Sequence, residues 1–571
     1  MPPHGWMNDP CAPGYDSASS LYHVNFQWNP YGHVWGNMSW GSATSPDMIN
    51  WTISKTPSME PTAEQDQCGV FTGAMWPTKK DQGNNNQSVD GILTSFYTSA
   101  QCLPINYRLP YTRGSEKLAL AISHDTGKTW TRSSDNIILD GPPAGYNVVS
   151  WRDPFVGSWA AIDPCHQYGV ISGGLRDETP AIFLYRVEPG PTPKWTFLSS
   201  LVNLGLHFCP SRWSGGDFGQ NFEVSNFLTL TDTKGKARDV LITSVEGRHE
   251  DPNGGELSKD HRQMWMSGPL ETDNNGPRMD FQLGGTLDHG CFYAANGFWD
   301  PVTGHFVTFG WVFEEDLPSH LVERQGWSGC LSIPRIVSLH TRKGVVGTIK
   351  SQLSELTCFS STKETDGTYT LDSVSLIPDP RLQQRRVADL CCPQPLLRMD
   401  ACLFPAAQSQ LEVDLSFQVH DTNQRVGFDL LHSSDGRDYT RFFFDGSSET
   451  LVIDRSQSTR VQGITTTPKS APHTLFELKE SESIVREDLN FHVFFDTSVL
   501  EVFVNERVAI TTRVYPEEGT CYGVRMYTSG DRTENAMSDD RPKDAQDDGG
   551  PGAEVRSMNI WALDARISYV D

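Results

Sequence analysis

Positive charge and long apolar runs are both scarce in this chain. Its 571 residues carry 46 Lys and Arg against 71 Asp and Glu, a formal net charge of −25 at pH 7. There is no basic stripe to neutralise phosphates, so nucleic acid is excluded as a partner, and an anionic membrane surface is excluded on the same ground. No apolar stretch approaches the roughly 18 residues that a spanning helix needs. The 12 cysteines include adjacent Cys391 and Cys392 but no C-x-x-C pair. They read as buried free thiols, not as a disulfide framework or a zinc site. His4, Cys11 and His23 match no common metal-ligand spacing, and no metal is expected. A phosphate-binding glycine loop is also missing. So is a secretory leader, because the chain opens on a motif and not on a charged segment followed by an apolar one. A cytoplasmic location is then the default, and secretion would require further residues ahead of Met1. The triplets Asn37-Met-Ser39, Asn50-Trp-Thr52 and Asn86-Gln-Ser88 have the form of glycosylation acceptors but arise often by chance.

Turn formers and aromatics are plentiful: 49 Gly, 36 Pro and 16 Trp. Short, punctuated, aromatic segments point to an all-β protein, and the length calls for two domains or one with a satellite. Helical periodicity is missing almost everywhere up to about residue 350. A strand, Ser-x-Asp, a turn and a Trp recur at Ser45-Pro-Asp-Met-Ile-Asn-Trp51 and Ser123-His-Asp-Thr-Gly-Lys-Thr-Trp130, with a looser echo from Leu184 to Trp195. The Asp can bond backbone amides in the turn while the Trp packs between neighbouring sheets. Such recurrence suggests the blades of a β-propeller.

The pattern changes near Leu376–Arg386, a Pro-bounded connector with helical character. Beyond it, Leu411–Phe417, Tyr439–Phe444 and Leu500–Ile510 alternate as half-buried strands, which fits a β-sandwich. We therefore expect a propeller over 1–355, a connector over 356–387 and a sandwich over 388–571. The acidic, Gly-rich stretch 529–554 reads as a mobile solvated loop, and Val555–Val570 is expected to close the sandwich.

Three carboxylates stand in unusual company: Asp9 in Trp6-Met-Asn-Asp-Pro10, Asp153 in Ser150-Trp-Arg-Asp-Pro-Phe155, and Glu223 in Asn221-Phe-Glu-Val-Ser-Asn226. Taken singly, Asp9 reads as an Asx-type turn opening a strand, and Arg152-Asp153 as a surface ion pair. Glu223 among apolar neighbours is more suggestive, because an apolar site raises a carboxyl pKa toward the range a general acid needs.

In this order, the three contexts resemble glycoside hydrolase family 32, the invertases, inulinases and fructosyltransferases. Phe26-Gln-Trp-Asn-Pro30, Trp35-Gly-Asn-Met-Ser-Trp-Gly41, Val70-Phe-Thr-Gly73 and Arg324–Arg335 resemble further blocks of that family, and Val499–Asn505 its C-terminal domain. The look is closest to fungal β-fructofuranosidases. The resemblance implies a five-bladed β-propeller followed by a β-sandwich, and a retaining mechanism without cofactor or metal. It implies Asp9 as nucleophile, Glu223 as acid/base and Asp153 as stabiliser of the transition state. Asn8, Gln27, Trp35, Thr72, Arg152 and Trp311 would line the fructose pocket. Glu315 would contact the sugar on the leaving-group or acceptor side. The implied substrate is sucrose or a short fructo-oligosaccharide, and a homodimer stays open.

A dedicated fructosyltransferase, an inulin- or levan-active hydrolase, a non-catalytic sugar-binding propeller and an inverting glycosidase are the competing readings. The chain departs from the family pattern twice. Asp9-Pro10-Cys11-Ala12 stands for the usual Asp-Pro-Asn-Gly, and Glu223-Val224-Ser225 for Glu-Cys-Pro. Asp9 also lies close to the start of the chain, where an edge strand is expected to fray.

Overall fold

A computed structural model describes the chain apart from residues 63, 65, 77–91, 133–134, 191, 233–234, 249–259, 391–400, 530–551, 565–566 and 571. Almost all of the expected acidic loop 529–554 lies outside the described residues, as do Cys391 and Cys392. The chain divides into two compact units, one made of 1–339, 374–384 and 566–571, the other of 340–373 and 385–565.

The first unit is built from antiparallel sheets in chain order. The first sheet runs Gly5–Asp16, Leu21–Asn29, Ser39–Ser45, Trp51–Ser54; the second begins at Gly69–Met75, the third at Val148–Ser158, the fourth at Asn221–Thr231 and the fifth at Phe292–Trp299. These five leading strands contact one another in a closed cycle, each touching the next and the fifth touching the first. Sheets that close into a ring place their leading strands around a common axis, which is how a propeller assembles its centre from distant parts of the sequence.

The recurrent strand–turn–Trp segment behaves as its chemistry requires. Asp47 accepts from the amides of Ile49 and Asn50 at 2.9 and 2.7 Å, and Asp125 from that of Thr129 at 2.9 Å. The tryptophans bridge sheets: Trp130 packs edge-on against Trp40, Trp51 against Phe309 and Trp195 against Phe96. Each contact joins one sheet to its neighbour in the cycle.

All five leading strands carry a bulge, where two residues stand opposite one of the paired strand. The doubled pairs are Asn8-Asp9 opposite Gln27, Phe71-Thr72 opposite Thr98, Asp153-Pro154 opposite Ile171, Val224-Ser225 opposite Thr243, and Ala294-Ala295 opposite Gly310. A bulge breaks the alternation of a strand and re-aims its side chains. Asp153, Val224 and Ala294 take left-handed φ of 62°, 44° and 53° to do so. For a β-branched Val this is a strained conformation, of order 1–3 kcal/mol, that the surrounding sheet must hold.

The segment around Asp9 is anchored on both sides, which corrects the expectation of a fraying edge. Gly5 and Trp6 pair in parallel with Trp327 and Ser328, the Gly5 amide donates to the Gly326 carbonyl at 3.0 Å, and Trp28 Nε1 donates to the His4 carbonyl at 2.7 Å. Ala12, standing where the family pattern has Gly, adopts a left-handed φ of 46°, uncommon for a residue with a Cβ.

The second unit contains two six-stranded sheets whose inward faces share one apolar core, including Leu411, Val413, Phe428, Phe442, Phe491 and Val502. The C-terminal segment Val555–Val570, expected to close the sandwich, divides between two sheets. Ala553–Leu563 joins a sandwich sheet, but Ile567–Val570 pairs in parallel with Trp51–Ser54 in the first unit. The connector forms only one short 3-10 helix, Pro380–Arg385, between two strands. Of the described cysteines all are free, yet Cys102, Cys165 and Cys209 are exposed, so burial is not general.

Candidate active site

The bulged ends of the leading strands open on one cavity of about 680 Å³, within the range of small-molecule sites. Its floor holds Asn8, Asp9, Gln27, Arg152, Asp153 and Glu223, so the three sequence-predicted carboxylates converge from the first, third and fourth sheets. Trp6, Trp35, Phe71, Ile105 and Trp311 also line it. Trp6 meets Trp311 edge-on at 5.5 Å and Trp35 meets Phe71 at 6.1 Å, while Trp35 remains 48% exposed at the mouth.

Two of the expected contacts are placed differently. Thr72 is fully buried and does not line the cavity; it acts on Asp9 instead. Its hydroxyl donates to Asp9 Oδ2 at 2.5 Å and accepts from Gln27 Nε2 at 2.6 Å, while Gln27 Nε2 also lies 3.2 Å from the same oxygen. Glu315 is not in the lining, and its neighbour Glu314 is. The strand Phe306–Val312 ends just before these residues, so no alternation carried past it could have told which of the two faces the cavity. Glu314 is held by Gln325 Nε2 at 3.1 Å and by the Gly329 amide at 3.1 Å.

Burial pushes the Asp9 carboxyl up to about 7, with the negative charge of Glu223 adding to the effect and the Thr72 hydroxyl and Arg152 opposing it. Burial likewise holds Asp153 well above the usual carboxylate range despite Arg152, and Glu223 and Asp9 push the same way. Asp153 Oδ2 accepts from the Val224 amide at 3.3 Å, and its own amide donates to Thr98 at 2.8 Å. The strained bulge at Val224 therefore ties the third and fourth sheets together beneath the cavity.

Arg152 is the hub of the charged wall. Its Nε and Nη2 both donate to Glu223 Oε1, at 3.0 and 2.6 Å, and Nη2 also reaches Glu246 Oε2 at 3.2 Å. Tyr293 donates its hydroxyl to the other Glu223 oxygen at 2.7 Å. Glu246 accepts from Asn221 at 2.7 Å and lies 3.6 Å from His261. Burial would lower the His261 pKa, but the bond and charge of Glu246 outweigh it and raise the ring to about 9.

Among the described residues, Glu223, Glu246 and His261 are the one group whose potential metal-ligating atoms lie within 4.8 Å of one another. The Arg152 guanidinium already donates to both of those glutamates, so a fixed cation occupies the position an ion would compensate. His4, Cys11 and His23 do not form such a group.

Sequence reasoning did not find Tyr293, Glu246, His261 or Glu116. The signal available for Glu246 and Glu116 was an acid at the end of a largely apolar strand, Ala237–Glu246 and Glu116–Ser123. Tyr293 offered none beyond its aromatic strand.

Residues 1–348 match the sequence model of the glycosyl hydrolases family 32 N-terminal domain, and residues 390–540 match that of the family's C-terminal domain. A curated relative, the β-fructofuranosidase, insoluble isoenzyme 2, of Oryza sativa subsp. indica, is 27% identical over 349 residues, which is 59% of this chain and 52% of the rice protein. The match thus spans about half the length of that relative. The β-fructofuranosidase of Aspergillus kawachii, solved with glycerol, superposes with a TM-score of 0.81 at 24% identity, covering 99% of this chain and 93% of the other. The fructosyltransferase from A. japonicus gives 0.80 at 23% identity, covering 99% and 94%. Both establish the β-propeller and β-sandwich fold. With the two domain matches together extending over most of its length, the chain belongs to glycosyl hydrolase family 32.

Proposed function

We propose that this protein is a retaining β-fructofuranosidase that removes terminal β-fructofuranosyl units from sucrose or short fructo-oligosaccharides. The observation that carries this reading is the convergence of Asp9, Asp153 and Glu223 in one cavity, with Glu223 gripped by Arg152 and Tyr293. In the first step an Asp9 oxygen bonds to the anomeric carbon as the bond to the glycosidic oxygen breaks, and Glu223 gives that oxygen its proton. In the second, water attacks the same carbon, Glu223 takes its proton, and Asp9 is released as carboxylate. Asp153 stabilises the positive charge that develops on the furanose ring in the transition state of each step. Asn8 Oδ1 and Trp311 Nε1 have no protein partner among the described residues, which supports their serving as sugar contacts beside Gln27, Trp35 and Arg152. The five sheets in cyclic contact support the five-bladed form of the propeller.

Hydrolysis and transfer differ only in what intercepts the fructosyl-enzyme. The two superposed Aspergillus proteins, a β-fructofuranosidase and a fructosyltransferase, share this fold at nearly the same TM-score, so fold does not decide between them. Incubation with concentrated sucrose followed by sugar analysis does. Equal glucose and fructose is the expected outcome; excess glucose with kestoses would assign a transferase, and no product would overturn the sucrose reading.

A further inference from the structure

Behind the cavity lies a carboxylate that no step above uses. Glu116 opens the strand Glu116–Ser123 in the second sheet; it is fully buried and does not line the cavity. One of its oxygens accepts from Arg152 Nη1 at 2.9 Å and the other from the Trp151 amide at 2.9 Å. Both contacts come from donors, so the geometry calls for the anion. Burial pushes its carboxyl up while Arg152 opposes. A buried ion is a poor way to gain stability, and an apolar side chain would fill the same space at least as well. Arg152, moreover, already has two other carboxylates, Glu223 and Glu246.

The division of the guanidinium is what gives Glu116 a purpose. Nη1 is committed to Glu116, so Nε and Nη2 are left in one plane to meet Glu223. Facing Glu223 are Arg152 and Asp153 from the third sheet, Asp9 from the first, Glu246 and His261 from the fourth and Tyr293 from the fifth. Only Arg152 and His261 among these are cations. Glu116 itself is faced by Arg152, by Glu223 and by the Tyr111 hydroxyl.

We propose that Glu116 is a positioning residue for fructosyl transfer: it fixes the Arg152 guanidinium from behind and so keeps Nε and Nη2 aimed at Glu223. This rests on the reading of Glu223 as acid/base. The test measures kcat and KM for sucrose in wild type, Glu116→Gln, Glu116→Asp and Glu223→Gln, with circular dichroism to confirm folding. Glu116→Gln keeps the size but offers one acceptor oxygen where two are used, and Glu116→Asp keeps both oxygens but is a methylene short; each should lower kcat at least about tenfold at little change in KM. A folded Glu116→Asp enzyme with wild-type kcat overturns the proposal, as does a loss that falls on KM alone, and Glu116→Asp decides by itself if Glu116→Gln does not fold. Glu223→Gln should lower kcat at least about a thousandfold. If turnover is retained there, the acid/base reading itself has failed; if it is lost there but Glu116→Asp keeps wild-type kcat, only the role of Glu116 has.

Discussion

Thr72→Val tests how the site keeps Asp9, the proposed nucleophile, ionised. The substitution keeps the shape of a fully buried side chain and deletes the hydroxyl that donates to Asp9 Oδ2 at 2.5 Å. That bond is the largest influence opposing the burial that pushes Asp9 up to about 7. A hydrogen bond to a charged acceptor contributes about 1.5–3 kcal/mol, and about 1.4 kcal/mol corresponds to one pKa unit, so a rise of roughly 1–2 units is expected. Gln27 Nε2, 3.2 Å from the same oxygen and deprived of Thr72 as acceptor, can strengthen its own bond to Asp9, which favours the lower end of that range. The sign follows directly. Only ionised Asp9 can attack, so a higher pKa moves the acid limb of kcat/KM to higher pH. Activity is lost about tenfold for each pH unit below the new limb and recovers above it. The assay is kcat/KM for sucrose from pH 4 to 9 on both proteins, with thermal melts to confirm folding. An acid limb unmoved in a folded Thr72→Val enzyme refutes the reasoning.

Asp9→Asn and Glu223→Gln should each lower turnover by at least about a thousandfold, and retained activity in either would remove its assigned role. Asp9→Asn should also stabilise the fold at alkaline pH. With a folded pKa of about 7 above an unfolded value of 3.8, wild type loses stability as pH rises through that window, by up to roughly 4 kcal/mol. A difference in Tm between the two proteins that does not grow from pH 4 to 7.5 would count against it. His261, raised to about 9 from 6.5, has the same slope in a later window, here as a gain that disappears: its contribution is fully present below 6.5 and lost as pH rises through 9. The Tm deficit of His261→Gln should therefore shrink between pH 6.5 and 9.5, and a constant deficit would deny the ion pair with Glu246. Finally, Glu314→Ala should change KM or the ratio of transfer to hydrolysis while Glu315→Ala changes neither, because only Glu314 lines the cavity; sugar analysis on both variants checks this.

Much of the site was readable because its residues sit in short, chemically odd contexts. Trp-Met-Asn-Asp-Pro, Trp-Arg-Asp-Pro and a Glu between Phe and Val are local statements, and local statements survive in sequence. The strand–turn–Trp repeat was readable for the same reason: Asp47 and Asp125 bond amides a few residues away, and a tryptophan follows within the same short turn segment. The bulges were not readable. Doubling Asn8-Asp9 opposite Gln27 is a property of a pair of strands, set by what each faces across the sheet. The resemblance puts Thr72 in the sugar pocket, whereas a bulge at Phe71-Thr72 turns it under Asp9. The same holds for Glu315 and Glu314. No alternation argument reaches past the end of the strand Phe306–Val312, so the facing residue is fixed by Gln325 and Gly329.

The all-β class, the family and the three acids that meet in the cavity are legible along the chain, because composition, turn chemistry and motif order are linear properties. How those acids are tuned is set in three dimensions. The grip of Arg152 on Glu223, Glu246 and Glu116, the hydroxyl of Tyr293 on Glu223, and the support of Asp9 by Thr72 join residues from all five sheets. Electrostatic coupling falls with distance in space and depends on burial, and neither is a property of position along a chain. The ring of sheets sets both at once, by bringing strands that are remote in sequence to within a hydrogen bond of one another.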